Sequence, residues 1–344
     1  MQKQEVQAVN KTLLVFNCHE AWVYQLGILG YELDIIVGLT GRYKQTWDRQ
    51  IRPVPPNSRL ITLSDALCST ASYYCIITHN IADLLDVKLR PEPRLMVIHL
   101  PIKARILEEK SKVEPKEMIE MTHRYTKLID AHVVAVSMFK GKSWGFTDDI
   151  VTFWSDPEDY PPYSGQKAWG LRISNFISNR KQFLLWDFHQ KAFNEIPVRI
   201  VGHNPGMPQV RASDSWDHLK KLLQSHRFYI HTADPSLEDG YNMATVEAMA
   251  AGMPVLGNRH PGSPIEHGVS GFLSDDPDEL RTYAKMLLAN RDLAVEMGRQ
   301  AQKTCMERFS KARFKRAFLQ SIETARNKWH NKQAHFPIRE AVCK

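Results

Sequence analysis

Short apolar runs rich in valine and isoleucine recur through both halves of this chain, separated by longer amphipathic stretches. The runs TLLVFN (12–17), LDIIVGL (33–39), RLITL (59–63), YYCIIT (73–78), RLMVIHL (94–100) and AHVVAVS (131–137) mostly lack the polar–apolar alternation of a half-solvated strand. That is how strands covered on both faces of a parallel sheet read. Helices are predicted between several of them, over 20–29, 103–128 and 138–144. The second half repeats the alternation. It has strands over 197–203, 228–233 and 254–258, and helices over 182–194, 214–225, 242–251, 277–289, 292–307 and 310–330. The fold class predicted is α/β, with two facing Rossmann-like, doubly wound domains. A length of 344 residues suits two domains. The Pro-rich DPEDYPPYSGQ (156–166) reads as the linker. The division is then 1–160, 161–309, and a closing helix with a basic tail over 310–344 that packs back toward the first domain.

Several function classes are excluded at this level. The net charge is +7, yet Lys311 to Lys344 holds nine Lys/Arg and two Glu, which accounts for all of it. The basicity belongs to a tail and not to a nucleic-acid-binding face, so no nucleic-acid partner is expected. The tail's cations give it a means of peripheral contact with an anionic membrane surface. Its stripe of Phe314, Phe318 and Ile322 suits packing onto the domains equally well. Five scattered cysteines (18, 68, 75, 305 and 343) form no C-x-x-C pair, which argues against a disulfide framework or a zinc site. The polar N-terminus MQKQEVQAVN has no secretory pattern, and no apolar run reaches 18 residues. The expected location is the cytoplasm, or the inner face of its membrane.

The stretch richest in chemistry is SLEDGYNMATVEAMAAGMPVLGNRHPGSPIEHGVSGFL (236–273), which reads as loop, helix, glycine turn, strand and Gly/Pro loop. Asp239 or Asn242 can cap a helix beginning near Asn242, and Gly252 ends it. The backbone N–H groups of Gly240, Tyr241, Asn242 and Met243 and the positive helix end suit a diphosphate. Glu247, a turn and a half into the helix, can accept two hydrogen bonds from a ribose diol.

Here the sequence resembles a known family, the retaining nucleotide-sugar glycosyltransferases of family 4. Their signature is a Glu, seven residues, and a second Glu opening Glu-Ala-Met-Ala-x-Gly-x-Pro-Val. This chain has Asp239, seven residues, Glu247, then AMAAGMPV, followed by GSPIE (262–266) and HGVSGFL (267–273). VRIVGHNPG (198–206), which contains Gly202, is similar to the family's strand and Gly-x-Gly-Pro turn. AHVVAVSMFKG (131–141), VIHLP (97–101) and ERFSKARFKRAFLQSI (307–322) are similar to three further family segments.

The resemblance implies a GT-B fold and a metal-independent sugar transfer from a UDP- or GDP-sugar to a glycan or lipid-linked acceptor, as in polysaccharide biosynthesis. No resident cofactor is implied. Asp239 would touch the donor sugar and Glu247 the ribose. Arg172, with Lys181 or Arg180, would neutralise the diphosphate, and His99 would face the acceptor. Against these stand plainer readings: Glu247 as a surface helix residue, Asp239 as a cap, Arg172 and Lys181 as a solvated pair, His99 as a hydrogen-bonded core residue. Trp22, Trp47, Trp154, Trp169 and Tyr241 read as packing. The glycine-rich loop that the family has after its first strand is absent. CHEAWVYQLGILG (18–30) stands there, with His19 and Glu20 as candidates and His79 at a comparable strand end. A shared architecture leaves a sugar-nucleotide epimerase open, and Asp239 with the missing loop leaves open a sugar-nucleotide binder without turnover.

Overall fold

The computed structural model of the protein describes residues 11–42 and 46–335. Its first sheet contains β1 (Thr12–Phe16), β2 (Glu32–Ile36), β3 (Ser58–Ile61), β4 (Cys75–Thr78), β5 (Arg94–Ile98) and β6 (His132–Ala135). The order is β3-β2-β1-β4-β5-β6, and every neighbouring pair is parallel. β4, β5 and β6 are buried along their whole length, which is why their sequences do not alternate.

The second sheet contains β7 (Lys167–Ile173), β8 (Val198–Val201), β9 (His226–Ile230), β10 (Val255–Gly257) and β11 (Gly271–Leu273). Its order is β11-β10-β9-β7-β8, again all parallel. Strand order reverses between β1 and β4 in one sheet and between β7 and β9 in the other. The carboxyl ends at those switch points are where such sheets bind ligands.

The local departures from the sequence reading have visible causes. β7 was not expected, because Lys167, Ala168 and Trp169 are exposed and dilute its apolar signal. It pairs closely all the same: a Cβ on Gly170 would lie 2.6 Å from the Phe228 ring. β11 is only three residues long and begins at Gly271, where a Cβ would lie 2.0 Å from the Val255 carbonyl oxygen. The helix expected over 103–128 is two helices, Ile102–Glu109 and Pro115–Leu128. Lys110 ends the first in the left-handed region at φ 50°, and Pro115, which has no N–H to donate, starts the second.

The last described helix, Lys311–His335, crosses back onto the first sheet. Phe314, Phe318, Ile322 and Ala325 form its buried stripe, and Phe318 packs edge-on against Trp22. Each buried phenylalanine contributes about 1.5–3 kcal/mol. Arg326 lies 3.6 Å over the Tyr74 ring, and the Tyr74 hydroxyl donates to Glu323 at 2.6 Å. That apolar stripe is therefore committed to the protein interior and not to a membrane. The basic tail beyond His335 lies outside the described residues. Among the described residues no helix is long and apolar enough to cross a membrane.

Candidate functional site

β9 ends at Ile230, and the chain runs through buried His231 and Thr232 to the helix Met243–Ala250. Asn242 caps this helix. Its Oδ1 accepts from the Thr245 N–H at 2.9 Å, and the Asn242 N–H donates to Thr245 Oγ1. Of the two cap candidates, Asn242 takes the role and leaves Asp239 free for other work. Gly240 lies under the loop 260–263, where a Cβ would meet the Ser263 nitrogen at 2.5 Å and His260 Nδ1 at 2.7 Å. Only glycine lets the two backbones approach so closely. His260 Nε2 donates to the Glu238 carbonyl at 3.0 Å, which holds that loop in place.

Asp239 is 3% exposed and reaches across to the first domain. Its Oδ1 accepts from the Ser137 hydroxyl at 2.9 Å, and its Oδ2 lies 2.9 Å from Lys140 Nζ. Ser137 is also the cap of the helix Met138–Trp144, which carries Lys140. Lys140 Nζ lies 3.2 Å from Glu238 Oε1 as well, and Glu238 Oε2 pairs with Arg180 at 3.2 Å. Arg180 in turn lies 3.0 Å from Glu108. The chain Glu108–Arg180–Glu238–Lys140–Asp239–Ser137 thus crosses between the two domains four times, and its five charged members alternate in sign. Burial alone would lower the Lys140 pKa, but Glu238 and Asp239 outweigh it and hold the ammonium above its ordinary value. Burial alone would raise Glu238, but Lys140 and Arg180 hold that carboxyl below its ordinary value.

Glu247 is buried on the helix Met243–Ala250, one side of which faces the first domain. Arg52, from the segment between β2 and β3, donates to its Oε1 and lies 3.5 Å over the Trp216 ring. Burial raises the Glu247 pKa, and Arg52 opposes that shift. Tyr241 is not placed to offer its ring to a ligand. It packs between Phe153 and Phe309 at the domain junction, with ring centroids 5.7 and 5.1 Å away. Met243 also packs partly against the core. Gly202, at φ 146°, lies beside the Ser174 carbonyl at the end of β7, where a Cβ would come within 2.2 Å.

Arg172 and Lys181 are not brought together. Arg172 is 2% exposed inside β7, donating to Thr232 Oγ1 at 2.8 Å and to the Leu184 carbonyl at 3.1 Å. Burial lowers its pKa to about 10. Lys181 is exposed. The cations paired with the signature carboxylates are Lys140, at Asp239, and Arg52, at Glu247, while Arg180 pairs with the adjacent Glu238. The sequence reading had Arg180 as one of two choices and missed Lys140, together with Arg52 and Ser137. The one available signal for Lys140 was its place in SMFKG, directly after the strand and serine turn already singled out.

His99 follows β5, and His79 follows β4. His79 Nδ1 and His99 Nε2 are 2.9 Å apart, and Cys18 Sγ, after β1, lies 3.7 Å from His99 Nε2. Burial lowers the His79 pKa to about 3 and puts His99 well below the ordinary imidazole value. Where a glycine-rich loop was expected, Glu20 is buried and accepts from the Asp48 N–H at 3.2 Å, holding the segment that leads to Arg52. His19 stands at the start of the helix Glu20–Tyr24 without a side-chain cap bond.

Residues 183–290 match the family model described as "Glycosyl transferases group 1". That segment spans β8 to β11 of the second sheet and the helix Met243–Ala250. The chain is 32% identical over 112 residues to a GDP-Man:Man(3)GlcNAc(2)-PP-Dol alpha-1,2-mannosyltransferase of Dictyostelium discoideum, covering 32% of this chain and 21% of that protein. The chain is also 38% identical over 92 residues to the amylovoran biosynthesis glycosyltransferase AmsK of Erwinia amylovora, covering 26% of this chain and 21% of that protein. The matched part thus spans about a fifth of each relative's length.

Solved structures extend the likeness to both domains. Anabaena HepE in complex with UDP-glucose superposes with a TM-score of 0.66 at 14% identity, over 91% of this chain and 99% of that one. Sucrose-phosphate synthase from Thermosynechococcus elongatus superposes with a TM-score of 0.64 at 14% identity, over 91% and 98% of the two chains. The matched segment therefore sits in a two-domain GT-B fold, with Asp239 and Glu247 facing the first domain.

Proposed function

We propose that the protein is a retaining glycosyltransferase that moves a sugar from a nucleotide sugar to a glycan or lipid-linked acceptor. The observation that carries this reading is the meeting of the two signature carboxylates, Asp239 and Glu247, with cations of the first domain across the cleft. A UDP- or GDP-sugar would lie on the second domain, with its diphosphate over the backbone N–H groups near 240–243. Arg180 and Lys140, paired with Glu238 and Asp239 just before that segment, would stabilise the charge that grows on the leaving diphosphate. Glu247 would hold the ribose after Arg52 gives way, and Asp239 would orient the sugar.

The bond from the anomeric carbon to the diphosphate oxygen breaks, and the bond to the acceptor oxygen forms on the same face. The acceptor proton passes to the leaving diphosphate oxygen. No side chain then has to act as a strong base, and no dissolved metal ion is required.

The test is a panel of UDP- and GDP-sugars, scored for release of nucleoside diphosphate and, by NMR, for the anomeric configuration of the product. Release with retained configuration supports the proposal, and an inverted product overturns the retaining mechanism. An altered but intact nucleotide sugar would mean an epimerase. Tight binding without any product would mean a non-catalytic binder, a reading favoured by the engagement of both carboxylates in ion pairs.

A further inference from the structure

The sheet order places β1, β4 and β5 side by side, so the residues just past their carboxyl ends are neighbours at the floor of the first domain's switch point. Those residues are Cys18, His79 and His99. Their donor atoms Sγ, Nδ1 and Nε2 all lie within 4.8 Å of one another. The shorter separations are 2.9 Å between the two nitrogens and 3.7 Å between sulfur and His99 Nε2.

From these positions we infer that Cys18, His79 and His99 form a binding site for one zinc-class transition-metal ion, with a fourth position open to water or a substrate oxygen. A tetrahedral ion with Zn–S near 2.3 Å and Zn–N near 2.0–2.1 Å sets its S···N pairs about 3.5 Å apart and its N···N pair about 3.3 Å apart. The cluster needs shifts of only a few tenths of an ångström at the two shorter separations to meet those values.

A second observation points the same way. His79 Nε2 lies 2.9 Å from the Phe16 carbonyl oxygen. A carbonyl only accepts, so Nε2 carries the proton and Nδ1 turns its lone pair into the cluster. A ring N–H anchored on a backbone carbonyl is the usual support of a metal-bound imidazole. Trp22 stands edge-on to both rings, with centroids 5.2 Å from His79 and 4.8 Å from His99, and supplies the apolar wall that keeps them in place. The donor set, one thiolate and two imidazoles, favours Zn²⁺ or Co²⁺ over Mg²⁺ or Ca²⁺.

On binding, the Cys18 thiol gives its proton to solvent. His99, which donates from Nε2 to His79 in the metal-free protein, moves its N–H to Nδ1. The ion then holds His99 Nε2 and competes with any hydroxyl that would use it. The site itself does not rest on the sugar-transfer reading.

Full-length protein, without any polyhistidine tag, is stripped with EDTA, dialysed and titrated with Co²⁺ under reducing conditions. The expected result is one equivalent bound, with the intense visible bands of tetrahedral cobalt and a thiolate-to-cobalt band, both removed by Zn²⁺. Cys18→Ser abolishes the thiolate band, whereas Cys68→Ser, at an exposed thiol, leaves it. His79→Gln weakens binding by about tenfold or more. Should that variant fail to fold, Cys18→Ser carries the test, because its thiol lies at a partly exposed strand end. A weak octahedral spectrum, no stoichiometric binding, or a thiolate band that survives in Cys18→Ser overturns the inference.

Discussion

Arg52 and Glu247 stand 195 positions apart in the chain and meet in a buried ion pair that ties the first domain to the second. The contact links a segment between two strands of one sheet to the helix that carries the glycosyl transferase signature. It also puts a cation where the proposed donor's ribose would go.

Arg52→Ala leaves Glu247 buried without a partner, which costs about 3–5 kcal/mol. The double variant Arg52→Ala/Glu247→Ala costs less than the two single losses added together, because the second change removes the stranded charge. Urea unfolding of the four proteins measures this, and strictly additive losses would show that the pair does not couple. Under the proposed function, a UDP- or GDP-sugar also raises the melting temperature of Arg52→Ala by more than that of the wild type, since nothing has to be displaced.

Asp239→Asn lowers kcat with little change in the affinity for nucleotide. The sugar gains positive charge as its bond breaks, so a carboxylate beside it contributes more in the transition state than in the ground state. Asn242 already caps the helix, so a loss in Asp239→Asn cannot be ascribed to capping. Glu247→Gln fails differently, with a raised KM and weaker product binding. Asp239→Glu restores the residue usual in the resembled family and either changes donor preference or lowers activity. Wild-type kinetics in Asp239→Asn with the true donor would remove Asp239 from the mechanism.

Stability falls in acid because of Glu238. Its folded-state pKa is held below the ordinary 4.5, so the carboxylate binds protons more readily in the unfolded chain. The stability it contributes is present in full above about pH 4.5 and is lost as pH falls through the lower folded-state value. The acid arm of the stability profile is therefore flatter in Glu238→Gln than in the wild type. Urea midpoints measured from neutral pH downward test this, and identical acid arms would refute it.

Sugar transfer continues in EDTA. Under the proposed function, Lys140 and Arg180 supply the positive charge at the diphosphate that a divalent ion would otherwise provide. An ion removed from the Cys18–His79–His99 site only frees His99, so the rate stays level or rises. Complete loss, restored by Mg²⁺ or Mn²⁺, is the contrary outcome.

Much of this was legible in the sequence, and the boundary has a physical reason. The helix Met243–Ala250, its Asn242 cap and the buried strands announce themselves through local pattern, because caps and apolar runs are decided by residues within a turn or two. β7 was lost because Lys167 and Trp169 face solvent. Ser137 and Lys140 lie about a hundred positions from Asp239, and Arg52 is farther still from Glu247. No spacing rule reaches across such gaps, since the pairing is set by how two sheets face each other. Arg172 misled for a related reason. It lies within β7 itself, and the strand turns its guanidinium inward toward Thr232.

The chain passes between the domains twice, once through the linker after Ser155 and again after Phe309, where the final helix returns to the first sheet. The two passages run side by side, with the Ser155 N–H donating to the Phe309 carbonyl at 3.1 Å. A single tether would let one lobe swivel freely over the other. Two tethers laced together at their midpoint act as a door hinge: they resist torsion and shear and leave one soft axis. Any opening of the cleft would then be confined to a repeatable arc, and closing along it would bring Asp239 back to Ser137 with no third element to guide it.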